Sequence, residues 1–76
     1  MNNNRRKAIN SIIDKLESLK DELETIQDEE QEYFDNMPES LQESEKGELS
    51  EESIENLGIA IDSIADAISA AQDATM

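Results

Sequence analysis

Cysteine and histidine are both absent from this chain of 76 residues. Without cysteine there is no disulfide framework, no thiolate nucleophile and no cysteine-based zinc site. Without histidine the chain lacks the commonest metal ligand and general base. Aromatic residues are nearly missing, with Tyr33 and Phe34 alone and no tryptophan. No apolar run approaches the 18 residues that a membrane-spanning helix needs. Positive charge is scarce: six lysines and arginines stand against twenty acids, for a net charge of −14. Such a chain as a whole repels nucleic acid and anionic membranes. Few aromatics and much charge are also the composition of disordered chains, but disordered acidic tails lack the periodic isoleucines described next.

Apolar residues recur every seven positions, stop, and restart. With Ile9 at heptad position a, the first run places Ile9, Leu16, Leu23, Glu30 and Met37 at a and Ile12, Leu19, Ile26 and Tyr33 at d, with Ile13 and Phe34 widening the stripe at e. The second run places Ile54, Ile61 and Ile68 at a and Leu57, Ile64 and Ala71 at d. That spacing winds an apolar stripe along each of two helices, as on the seam of a coiled coil. The first helix is expected over about residues 4–36, capped near Asn3 or Asn4. Pro38 disfavours helical geometry at Met37 and ends it. Residues 37–47 form a connector that can hold one helical turn with Pro38 at its first position, and Leu41 is placed to plug the core end against Phe34 and Met37. The second helix is expected to begin between Ser44 and Ser50, over about 48–74, with Gly47 weakening the earlier start. The predicted fold is all-α: one domain over 1–76, an antiparallel two-helix hairpin, coiled-coil-like. A chain this short struggles to bury a core alone, so it is expected to form a homodimer, a four-helix bundle. Small residues flank the second stripe (Gly58 and Ala65 at e, Ala60, Ala67 and Ala74 at g), and Ile59 faces away from it. The second helix is therefore expected to be the inner one. The packing and oligomer positions are Leu16, Leu19, Leu23, Ile26, Leu57, Ile59, Ile61, Ile64, Ala67 and Ile68.

The acids are concentrated. Residues 21–52 hold fourteen acids and one base, Lys46, hence −13, while Arg5, Arg6, Lys7, Lys15 and Lys20 lie in the first twenty residues. Residues 21–35 carry eight acids, and an antiparallel partner adds Glu51, Glu52, Glu55 and Asp62. Twelve charges along about 21 Å of helix approach the one per roughly 1.7 Å of duplex DNA. Two readings follow: solvated faces that keep a small bundle in solution, or a surface for a basic protein, including a DNA mimic. The candidate partner-binding acids are Asp21, Glu24, Asp28, Glu32, Asp35, Glu48, Glu51, Glu52 and Glu55. Asp14, Asp21, Asp28 and Asp35 all fall at position f, an outward ladder with steps of about 10.5 Å. Glu30 is an acid in an apolar row, read either as an interior acid awaiting a basic partner or as the point where solvent enters. Acid clusters such as Asp28-Glu29-Glu30 could hold Ca²⁺ or Mg²⁺ weakly, but no EF-hand pattern or Glu-x-x-His motif is present, so neither cofactor nor metal is expected. Arg5, Arg6 and Lys7 lack interleaved aromatics and make a poor nucleic-acid signature. Nor is there a Ser-His-Asp set, a glycine-rich phosphate loop or a nucleophile elbow, so no enzyme is expected.

The connector segment Phe34-Asp35-Asn36-Met37-Pro38-Glu39-Ser40, with the following Ile54-Glu55-Asn56-Leu57 and Ala60-Ile61-Asp62-Ser63-Ile64, resembles small acidic helical proteins encoded by phages and mobile elements of Gram-positive bacteria. The likeness spans about half of the chain and carries over no functional residue. It implies a phage-type accessory protein in the host cytoplasm. The basic start of the chain leads into an acid-rich amphipathic helix rather than a short apolar core, which also points away from a signal peptide. The expected function is a non-catalytic protein-binding module. The alternatives are a DNA-mimic inhibitor of a nucleic-acid-binding host protein, and a structural or assembly factor such as a scaffold or chaperone. No membrane association and no direct nucleic-acid binding are expected.

Overall fold

A computed structural model describes all of residues 1–76. The chain is all-helical: α1 spans Asn3–Asp35, α2 Glu39–Gln42 and α3 Glu45–Ala74. The molecule is a rod with extents of 58 × 15 × 12 Å.

Local chemistry sets the ends of each helix. The Asn2 side chain accepts a hydrogen bond from the Arg5 amide at 2.8 Å. That is the bond from a cap residue to the third helical residue, so the cap is Asn2 rather than Asn3 or Asn4. α1 stops at Asp35, one residue short of the expected end and ahead of Pro38. The Pro38 carbonyl accepts the amides of Leu41 and Gln42 at 2.8 and 3.0 Å, so Pro38 stands just before α2 rather than inside its first turn. Ser44 precedes α3, but its hydroxyl donates back to the Leu41 carbonyl and leaves the α3 amides uncapped by a side chain. α3 starts at Glu45, inside the expected window from Ser44 to Ser50 and about three residues before the nominal start at 48. Gly47, expected to resist that start, is what permits it. It is buried, and a Cβ there would overlap the Gln42 backbone.

The two long helices touch in reverse order along the chain. Arg6 Nε donates to the Thr75 carbonyl at 3.1 Å, Gln27 Nε2 to the Ile54 carbonyl at 3.1 Å, and the Ser50 hydroxyl to Glu30 Oε2. The core runs between them and contains Ile13, Met37, Ile61 and Ile68 as its buried apolar residues. On α3 the inward rows are the expected a and d positions: Ile54, Ile61 and Ile68, then Leu57, Ile64 and Ala71, are all buried or half-buried.

On α1 the inward rows are a and e, not a and d. Ile9, Leu16, Leu23 and Glu30 point inward together with Ile13, Gln27 and Phe34, and Met37, two residues past the helix, continues the a row. The d row stands outside: Ile12, Leu19, Ile26 and Tyr33 are 46–53% exposed. The apolar arc on α1 spans a, d and e, wider than one neighbouring helix can cover. The rotation that buries Ile13 and Phe34 turns d away. Leu41 is corrected too. It is 43% exposed, and Met37 closes the core end in its place. Gln42 Nε2 donates to the Phe34 carbonyl at 3.0 Å and holds α2 against the end of α1.

Candidate protein-binding surfaces

Helical residues advance about 100° each, so the inward rows fix where every other row lies. On one side of the rod α1 presents its f row and α3 its b row. The first is Asp14, Asp21, Asp28 and Asp35; the second is Glu48, Glu55 and Asp62, and every one of these residues is exposed. Glu17 and Glu24 on α1 and Glu51 on α3 lie between the two rows. Only one ion pair relieves this density, from Lys20 Nζ to Glu24 Oε1 at 3.4 Å. A shallow depression lined by Glu17, Lys20, Asp21, Ala65 and Ile68 opens on this side. Parallel carboxylate rows with a single counter-charge hold a negative local potential, which draws in cations and basic side chains.

The expected partner-binding acids are thus mostly gathered. Asp21, Asp28, Asp35, Glu48, Glu51 and Glu55 share the acidic side. Glu24 joins them half-buried and already paired with Lys20. Glu32 and Glu52, at c and f, lie on the outer flanks of the rod, where the rows above cannot include them. Glu30 takes neither of its expected roles: it is half-buried and accepts from Ser50, a residue only 4% exposed. An interior hydroxyl supplies its partner, so no basic residue is required. Ser50 was legible only as a possible cap. Its position, seven before Leu57 and thus in the d row, was the signal that it points inward.

The opposite side differs. There α1 presents Ile12, Leu19, Ile26 and Tyr33, and α3 presents its g row, Lys46, Ser53, Ala60, Ala67 and Ala74. Lys46 Nζ stands 6.0 Å from the Tyr33 ring centre, joining the two rows at one end. A cavity of about 350 Å³ opens beside them, lined by Tyr33, Asn36, Met37, Pro38, Leu41 and Lys46. Of the expected packing residues, Leu16, Leu23, Leu57, Ile61, Ile64 and Ile68 are covered within the chain. Leu19, Ile26, Ile59 and Ala67 are exposed. Leu19, Ile26 and Ala67 share the apolar side, and Ile59, 58% exposed at f, lies off it. The large uncovered apolar row belongs to α1, whereas the large apolar side chains exposed on α3 are Leu49 and Ile59.

No three acidic side chains converge to cage one metal ion. No helix is long and apolar enough to cross a membrane. No family model matches the chain, and neither the curated proteins nor the solved structures return a match.

Proposed function

We propose that this chain is a non-catalytic protein-binding module, a phage-type accessory protein that captures a basic protein of the host or phage in the host cytoplasm. In this reading α1 and α3 work as an antiparallel hairpin, and two hairpins pair into a four-helix bundle. The observation that carries the reading is the sorting of charge into two acid rows on one side of the rod, relieved by a single ion pair. A solvated surface needs charge but not sidedness. Contacts in reverse order along α1 and α3 support the hairpin.

Binding through such rows weakens steeply with salt, because exposed charges are screened beyond about 8 Å at physiological ionic strength. The test is capture from host lysate at low and high salt, with the triple variant Asp21→Asn, Asp28→Asn, Asp35→Asn as comparison. Loss of the captured protein in the variant and at high salt supports the reading; capture unchanged by both rejects it. A DNA-mimic inhibitor is the second reading. Seven of the twelve acids, Asp21, Glu24, Asp28, Asp35, Glu51, Glu55 and Asp62, lie on the acidic side; set in rows at about one charge per 3 Å, close to the roughly 3.4 Å along one DNA strand, they favour it. A mimic competes with duplex DNA for its target, whereas another basic-protein binder leaves DNA bound.

A further inference from the structure

One side of the rod combines an uncovered apolar row with few acids. In a chain with 20 acids among 76 residues, the c and g rows of α3, from Lys46 to Ala74, contain no acid at all. They carry Leu49, Asn56, Ser63 and Ala70 at c beside the alanine-rich g row. Next to them runs the uncovered row Ile12, Leu19, Ile26 and Tyr33 of α1, each residue about half exposed. The rows of this side hold two acids, Glu22 and Glu29 of α1, against ten on the acidic side, so a chain of charge −14 repels its own copy least here. Size agrees: a side 58 Å long and 15 Å wide offers about 870 Å², against about 800 Å² per partner in a standard stable interface.

We infer that two copies dock through this side in antiparallel orientation, α1 across α1, with the acidic tips at opposite ends. The tip segment 21–52 carries −13, and parallel docking would set two such tips side by side. Antiparallel docking separates them by the length of the rod. It places Leu19 against Ile26 of the other copy and Ile12 against Tyr33, and it brings Lys15 beside Glu29 of the other copy at both ends of the row. Glu22 meets its own counterpart at the two-fold axis, the one like-charge encounter in this row. The acid rows stay outside, on both surfaces of the assembly.

This inference rests on the pairing of hairpins proposed above and names its face and direction. The free chain is weighed in solution by sedimentation, with helicity followed by circular dichroism. The wild-type chain is expected at twice 8.5 kDa, with association that tightens as salt rises. Leu19→Asp is expected to return it to a single-chain mass with helicity kept, and Ile59→Asp, off the face, to leave the doubled mass. If Leu19→Asp loses its helicity, the milder Leu19→Ser decides in its place. Because the chain has no cysteine, single cysteines report direction: a short bismaleimide is expected to link Glu22→Cys chains and not Ser40→Cys chains. A doubled mass that survives the Leu19 substitution overturns this face alone, and linking through Ser40→Cys overturns this direction alone. A single-chain mass for the wild type at all concentrations overturns the pairing itself.

Discussion

Replacing Gly47 with alanine sets helix propensity directly against packing. In an open helix, glycine to alanine gains about 0.8–1.0 kcal/mol. Gly47 lies in the first turn of α3 and is buried against α2. An alanine Cβ there would stand 2.6 Å from Gln42 Cα and nearer still to the Gln42 carbonyl. Optimal carbon–carbon separation is about 3.5–4.0 Å, so α2 and α3 must part by about 1 Å. The obstacle is backbone, and no rotamer change relieves it. Overpacking of this kind costs about 1–3 kcal/mol, here toward the upper end. Moving α2 also breaks the bond from Gln42 to the Phe34 carbonyl, worth about 1 kcal/mol. The net expectation is a destabilisation of about 2–3 kcal/mol, or a melting temperature lower by roughly 10–20 °C for a domain of this size. Gly58→Ala is the internal control. Its Cβ would meet only the Gln27 amide nitrogen, at 3.2 Å. That side chain can swing aside, so the helix gain and the lost hydrogen bond nearly cancel, within about 1 kcal/mol. Thermal and urea unfolding followed by circular dichroism, at fixed protein concentration because pairing shifts apparent stability, measures both. A rise in the midpoint for Gly47→Ala would refute the packing of α2 against α3 on which this reasoning stands.

Other substitutions test the seam. Ile13→Ala is expected to cost about 2–4 kcal/mol, because Ile13 is 5% exposed, whereas Ile12→Ala costs under about 1 kcal/mol in dilute, unpaired protein. Equal costs would reject the a/e seam on α1. Ser50→Ala leaves a half-buried Glu30 without its hydrogen-bond partner and is expected to cost about 1–3 kcal/mol in urea unfolding. Asn2→Ala removes the cap on the Arg5 amide; a loss of about 1 kcal/mol should appear as faster amide exchange in the first turn of α1, with the middle of the helix unchanged.

The sequence by itself determined the helices and their core rows on α3. Seven-residue spacing of Ile54, Ile61 and Ile68 admits one inward face, because the residues around it are mostly small or polar and Leu49 and Ile59 stand apart from any apolar row. The break at Pro38 was equally legible, since a proline acts through its own ring and its missing amide. So was the outward ladder of Asp14, Asp21, Asp28 and Asp35, which follows from 100° per residue alone. Three things were decided only in the folded chain. Between two candidate rows on α1, the choice depended on the facing helix: Ile13 and Phe34 could be buried only by turning Ile12, Leu19, Ile26 and Tyr33 outward. The meaning of Gly47 depended on Gln42, five residues back but brought against it by the turn of α2. The sidedness of charge depended on setting α1 beside α3, which gathered acids distant in sequence onto one side and left only Glu22 and Glu29 in the rows of the other. Periodicity belongs to a single helix and is written locally. Which of its faces is covered depends on the shape of another helix, and that is settled only where the two meet.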